Sequence, residues 1–443
     1  MYDDSPFAPS SQTKPRSENV ISLWKSKRMY IVIFLFTITI INYADRVNMS
    51  VAAQNVAQHF GWDNAMMGIV MSSFLWTYAL CLVPMGWLVD KFGPKNLNTW
   101  GLGLWSAAAM CTGLVGGLTS MLCVRMVLGA GESTTWPSCG KVIRNWFPVG
   151  ERGTVTGIFQ AGSNCGAAIA MPIVAWLVVT TGWKMSFIIT GATGFIWLFF
   201  WLRMYKEPEE CPWLPEDEKA YILANRSATV PVAAEGSSAG GKSKVLRLLG
   251  QKSVWGLAIT QGCNVYTQYL ILTWLPSYLM QVKHMDIKSA SWFSAGAFLF
   301  ATVFTIFVGK ASDAKLTPES LAQGHRKTAV IIFLLLSTAI AFVSVAENSI
   351  LIFVLVGLAI AFTTTAISLN IALTNDIIKD SSVTGTTMGI LVLGGNVFGL
   401  TAPMITGFIA KATGSFDSGF YLAGLLLCMG ALASFILVRK PIQ

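Results

Sequence analysis

The sequence predicts an all-α polytopic membrane protein whose twelve spans divide into two six-helix bundles. Three observations carry this expectation. Hydrophobic residues make up 53% of the 443, charged residues only 12%, and mean hydropathy is +0.58, whereas a soluble domain is about one-quarter charged. The apolar residues gather in stretches close to the roughly 20 residues that cross a bilayer core about 30 Å thick. One long polar segment near mid-chain then splits these stretches six and six.

The elements follow in order. A polar, basic tail of residues 1–28 precedes the first apolar run, which has no small-residue cleavage site at its end and is expected to stay in the membrane. Six spans cover about 29–52, 66–89, 97–118, 121–143, 154–179 and 186–202, forming a first bundle over 29–202. The linker, 203–252, carries Glu207, Pro208, Pro212, Pro215 and a Gly/Ser tract. Six more spans cover about 254–279, 289–309, 328–345, 350–373, 384–410 and 420–438, forming a second bundle over 253–438 with a tail of 439–443.

The 31 Lys and Arg against 22 Asp and Glu are an orientation signal. Of the 31, only Lys184, Lys283, Lys288 and Lys411 fall on the side away from the termini, and Arg46 and Arg125 lie within spans. The rest sit in the tails, the linker and the loops on the same side, which places both termini in the cytoplasm. The basic excess therefore points to a lipid bilayer and argues against a nucleic-acid partner. The eight cysteines show no CxxC spacing and read as buried small hydrophobes, while His59, His284 and His325 have no second ligand at metal-binding spacing. No metal site is expected.

Between spans two and three runs Gly86-Trp87-Leu88-Val89-Asp90-Lys91-Phe92-Gly93-Pro94-Lys95, and between eight and nine Gly309-Lys310-Ala311-Ser312-Asp313. A glycine four residues ahead of an aspartate thus recurs in both halves. Such a carboxylate facing basic residues can make a charge contact in one conformation and break it in another, so Gly86, Asp90, Lys91, Gly93 and Asp313 are read as a duplicated gate. With the 6+6 layout and long linker, this motif resembles the major facilitator superfamily. Asn42-Tyr43-Ala44-Asp45-Arg46, Arg125 with Glu132, and Trp146-Phe147-Pro148 followed by Glu151-Arg152-Gly153 resemble its anion:cation symporter family more closely. Asn96 departs from the pattern, which commonly has a basic residue there. The resemblance implies the major facilitator fold, alternating access, a bacterial inner membrane and a monomer. It also implies proton-coupled symport of an organic anion, a sugar acid such as galactonate, glucarate or a hexuronate.

Asp45, Arg46, Arg125 and Glu132 lie where lipid would surround them. Each costs roughly 2.5–3.5 kcal/mol on insertion scales, so each should face a protein interior or a watery cavity. Arg125 and Glu132, seven residues apart, fall within roughly 20° of one helix face. Two readings stay open: static pairs that fix helix packing, or a site where a carboxylate and a substrate compete for a guanidinium. By resemblance, Asp45 and Glu132 match the family's protonation positions, and Arg46, Arg125 and Tyr78 its substrate site; Tyr43 belongs to the same motif. Gln160, Ser163 and Asn164 in span five supply polar groups suited to substrate hydroxyls, though they serve equally well as span-to-span glue. Tyr266, Gln268, Asn370 and Asn396 in the second half are neutral groups suited to a polyhydroxylated ligand, although aromatic residues near span ends more often anchor the chain at the interface.

Gly236-Ser237-Ser238-Ala239-Gly240-Gly241-Lys242-Ser243 fits the P-loop pattern, but the linker has neither the strand and helix nor the acidic magnesium motif that a phosphate cradle needs. No cofactor is expected, and transport should run on an ion gradient. No nucleophile, base or metal set appears in the loops, so an enzyme is not expected. The alternatives are a carrier of an aromatic or dicarboxylic acid, and an anion exchanger or uniporter without proton coupling.

Overall fold

The computed structural model describes residues 22–148, 150–226, 246–313, 325–378, 384–439 and 442. It is all-helical among these residues, with one isolated bridge between Ile378 and Ile442. In the first half the helices are α1 (Met29–Phe60), α2 (Asn64–Thr112), α3 (Leu118–Glu132), α4 (Thr135–Trp146), α5 (Arg152–Thr181) and α6 (Trp183–Met204). The linker holds α7 (Glu216–Asn225). The second half holds α8 (Lys252–Gln281), α9 (Ile287–Asp313), α10 (His325–Ser337), α11 (Ser349–Ile377), α12 (Thr384–Thr413) and α13 (Asp417–Leu437). These make twelve crossings in two six-helix bundles, with the linker and the helix ends next to the termini on one face, here the linker face.

Three elements differ from the sequence expectation. Spans two and three, expected to be joined by a loop, are two helical arms, together α2, that meet directly at a kink where Gly93 takes a non-helical φ of 78°, a conformation open to glycine, ahead of Pro94. Span four breaks at Ser133–Thr134, so that α3 ends on Glu132. The linker contains an ordered helix tied to the first bundle. The amides of Lys27 and Arg28 donate to Glu218 of α7 at 2.9 and 3.0 Å, and the Arg28 guanidinium meets Glu151 at 2.8 Å. Burial pushes the Glu151 carboxyl up, against the pull of Arg28. The cysteines also correct the expectation: only Cys139, Cys211 and Cys263 are buried, whereas Cys111, Cys123 and Cys428 are exposed on the outer surfaces of their helices.

Glycines set the packing that matters for the site. A Cβ on Gly129 would lie 2.1 Å from the Phe74 carbonyl oxygen and one on Gly131 would lie 2.8 Å from the Trp105 Cβ. Only glycine lets α3 approach both arms of α2 this closely, and that approach carries Glu132 into the bundle interior.

The two bundles meet on the face opposite the linker. There Gly68 and Gly407 bring α2 and α12 backbone to backbone, with a Gly407 Cβ position 2.4 Å from the Asn64 carbonyl oxygen. Asn64 and Gln281 exchange side-chain hydrogen bonds at 3.2 and 3.3 Å, and Lys411 meets Asp63 at 2.8 Å. The hydrogen bond from Lys411, with a second from the Met66 amide, holds the Asp63 carboxyl below its usual range. One buried core runs through this junction from Val47 and Met71 to Leu275 and Phe416, while a second, from Phe34 to Trp146, draws its buried residues from the first bundle, the segment before it and the linker, with Tyr269 and Leu400 of the second bundle packed against it.

Replacing Gly129 by Val is expected to remove about 1–3 kcal/mol of stability through overpacking. Gly140, whose added Cβ meets nothing within 4 Å, is the control, and Gly140→Ala should leave the thermal unfolding of the detergent-purified protein in place.

Candidate substrate and ion site

Between the bundles a cavity of about 800 Å³ reaches from Gly153, in the first turn of α5, down to Arg46 and Tyr269. It therefore opens on the linker face and is closed on the other. Among the described residues, the polar contacts between bundles run only from its floor toward the closed face: Arg46 to Tyr269, Ser50 to the Thr273 carbonyl, then Asn64 to Gln281 and Asp63 to Lys411.

Arg46 forms the floor. Its Nε donates to Glu132 Oε2 at 2.8 Å and its Nη1 to the Tyr269 hydroxyl at 3.2 Å, while Nη2 has no partner. The guanidinium lies about 5 Å from three rings, at 5.1 Å from Tyr43, 5.0 Å from Phe74 and 4.9 Å from Tyr78. Aromatic faces hold a desolvated cation in place without neutralising it, so the Arg46 charge at the cavity floor is balanced by Glu132 alone among its hydrogen-bond partners.

The other three membrane charges stand behind this floor. Glu132 is fully buried, with Oε1 unpartnered and Asn42 beside it. Asp45 is 2% exposed, lies near Thr190 and Trp105, and has no hydrogen bond on either oxygen. Arg125 is 3% exposed and stands 5.3 Å from the Phe74 ring, the same ring that meets Arg46. Its Nε and Nη1 are unpartnered. It borders a separate hollow of about 20 Å³ on the closed side of Arg46.

Of the residues singled out from the sequence, Tyr43, Arg46, Tyr78, Gln160, Ser163 and Asn164 line the cavity from the first bundle, and Gln268 and Asn396 from the second. Asp45, Glu132, Arg125, Tyr266 and Asn370 do not line it. For Tyr266 the reason is helical phase. Gln261, Val265 and Gln268 share a face at i, i+4 and i+7, from which Tyr266 is turned by about 140°. Asn370 is buried in α11 and donates to Gln261 Oε1 at 3.0 Å and to the Leu257 carbonyl at 3.1 Å. It orients Gln261 rather than facing the cavity. Tyr269, a phenol that the sequence offers beside Gln268, also lines the cavity, as do Gln261, Trp136, Thr302, Thr305 and Ser368, which sequence reasoning passed over. The i, i+7 amide spacing of Gln261 and Gln268 was the available signal. Nothing in the sequence marked the others.

The gate positions are placed as follows. Asp90 pairs with Lys141 of α4 at 2.9 Å, a contact inside the first bundle, and Lys91 lies 5.2 Å from the Trp87 ring. Gly86 has open space where a Cβ would stand, and Gly93 makes the bend. Asp313 ends α9, its side chain outside the described residues, as are the basic stretch after it and the P-loop-like tract at 236–243.

The chain matches the model of the Major Facilitator Superfamily over residues 35–321 and again over 257–443. It belongs to that superfamily. The probable galactarate/D-glucarate transporter of Bacillus subtilis (strain 168) is 30% identical, covering 94% of this chain and 93% of that one. The D-galactonate transporter of Escherichia coli O6:H1 is 29% identical, covering 93% and 96%. These are relatives of the anion:cation symporter type that the sequence motifs resemble. Among solved structures, a bacterial homologue of the human lysosomal transporter Spinster, in an inward-facing, occupied conformation, superposes with a TM-score of 0.73 at 16% identity, covering 95% of this chain and 98% of that one. That likeness shows the fold. The chain is thus a multi-pass membrane transporter and not an enzyme.

Removing one member of a buried ion pair leaves the other uncompensated, at a cost of about 3–5 kcal/mol. Arg46→Ala is therefore expected to lower stability by this order, and Glu132→Gln in the same chain to recover most of it. A double-mutant cycle on unfolding in detergent measures the coupling.

Proposed function

We propose that the protein is a proton-coupled symporter of a sugar acid, working by alternating access in a bacterial inner membrane with both termini cytoplasmic. One observation carries the reading: the single guanidinium on the cavity floor is held from behind by the buried carboxylate of Glu132 at 2.8 Å. A substrate carboxylate arriving in the cavity competes with Glu132 for Arg46. When Glu132 takes a proton its hold on the guanidinium weakens, and Arg46 can grip the substrate by charge-assisted hydrogen bonds. Proton and anion then bind cooperatively, each raising the affinity for the other by the same factor.

In this reading Asp45 is the second proton site, one layer deeper, and Arg125 is the cation that balances it. Tyr43, Tyr78, Gln160 and Asn164 shape the first-bundle wall around the substrate, and Gln268 and Asn396 face it. The cavity mouth on the linker face makes this the cytoplasm-facing state, closed outside by Asp63–Lys411 and Asn64–Gln281. The proton supplies about 2.3 kcal/mol per 100 mV of membrane potential and about 1.4 kcal/mol per pH unit, enough to concentrate an organic acid.

A second reading, an exchanger or uniporter without proton coupling, is favoured by the absence of both Glu132 and Asp45 from the cavity lining, with Glu132 held behind Arg46. Proteoliposomes decide between them. In the symporter, uptake of galactonate alkalinises the outside medium, Arg46→Ala abolishes uptake, and Glu132→Gln uncouples it from pH. Uptake by the wild-type protein with no proton movement overturns the coupling scheme and leaves the uniport or exchange reading.

A further inference from the structure

Resting on the sugar-acid reading, we propose that this cavity selects a polyhydroxylated monocarboxylate, an aldonate, over the matching dicarboxylate, an aldarate. The cavity is polarised. Its first-bundle floor presents one guanidinium boxed by aromatic rings. The facing second-bundle wall presents neutral amides and hydroxyls, those of Gln261, Gln268, Thr302, Thr305, Ser368 and Asn396. Asn370 occupies Gln261 Oε1, so Gln261 offers its amide N–H groups to the cavity.

Arg125, the second guanidinium of the region, does not extend this site. It borders the separate hollow of about 20 Å³ behind the floor. That is room for about one water molecule, not for a carboxylate at the end of a carbon chain. A six-carbon sugar acid gripped by Arg46 at its C1 carboxylate therefore sends its far end toward the neutral wall. A terminal hydroxymethyl both donates and accepts hydrogen bonds there. Among the described residues, a second carboxylate finds donors there but no cation.

While the linker-face mouth is open, water still solvates that far end. When the mouth closes over the substrate, the water leaves and an unpaired anionic charge has to be carried in a low dielectric. The discrimination thus arises at occlusion, and it shows in transport more than in binding to the open state. Relatives on both sides of this choice exist, one named as a galactarate/D-glucarate transporter and another as a D-galactonate transporter, so the preference is not settled by kinship.

The test measures uptake of radiolabelled galactonate and radiolabelled galactarate in parallel, by the full-length protein in proteoliposomes at pH 7. The proposal expects kcat/KM for galactonate to exceed that for galactarate by about tenfold or more, as a desolvated and uncompensated charge requires. Placing a cation on the facing wall by Gln268→Lys, or independently by Asn396→Lys, is expected to shift the ratio toward galactarate by about tenfold. Galactarate carried as well as galactonate by the wild-type protein overturns the preference and leaves the sugar-acid reading standing. So does a lysine variant that still carries galactonate with the ratio unmoved. If neither acid is carried, the sugar-acid reading falls and this proposal with it.

Discussion

The contact on which the rest of the site depends is the ion pair between Arg46 and Glu132, buried in the first bundle and closed at 2.8 Å. Two desolvated charges are tolerated there only because the geometry is short and the guanidinium is also stacked among Tyr43, Phe74 and Tyr78. Several features of the fold serve this contact. The glycines at 129 and 131 let α3 close on α2, and that approach brings the Glu132 carboxylate to Arg46 of α1. The floor of the cavity is the consequence.

The pair also joins the two bundles, since Arg46 donates a second hydrogen bond to Tyr269 of α8. Any ligand or proton that changes what Arg46 holds changes the innermost polar contact between the bundles. Farther out, the same junction is continued by neutral amides and then by an exposed ion pair, Asp63 with Lys411. Exposed pairs are weak, about 0–1 kcal/mol, whereas close backbone packing at Gly68 and Gly407 supplies apolar contact without a polar penalty. The closed face is thus held mainly by packing, and its polar latch sets alignment.

The division of labour between the bundles has a physical basis. All four membrane charges belong to the first bundle, and the second lines the cavity with uncharged groups. Charge confined to one bundle can be neutralised within that bundle, so the bundles can rock against each other without exposing an unpaired ion to lipid. The linker helix α7, fastened by Glu218 to the start of α1, moves with the charged bundle.

Composition and hydropathy were enough to determine the twelve crossings, and the cost of a charge in lipid was enough to single out Asp45, Arg46, Arg125 and Glu132, because both follow from the solvent and not from the fold. Relative depth is another matter. Adjacent residues on α1, Asp45 and Arg46, were equivalent by spacing, yet Arg46 lines the cavity and Asp45 faces Trp105 and Thr190 inside the bundle. The same holds for Gln261 and Tyr266, which a helical wheel separates only once one knows which face meets the open space. Which arginine meets that space, which bundle closes on which face, and that Asn370 serves Gln261 were decided by the packing of distant helices. Local sequence carries phase along a helix, and only tertiary contact tells that phase where the cavity lies.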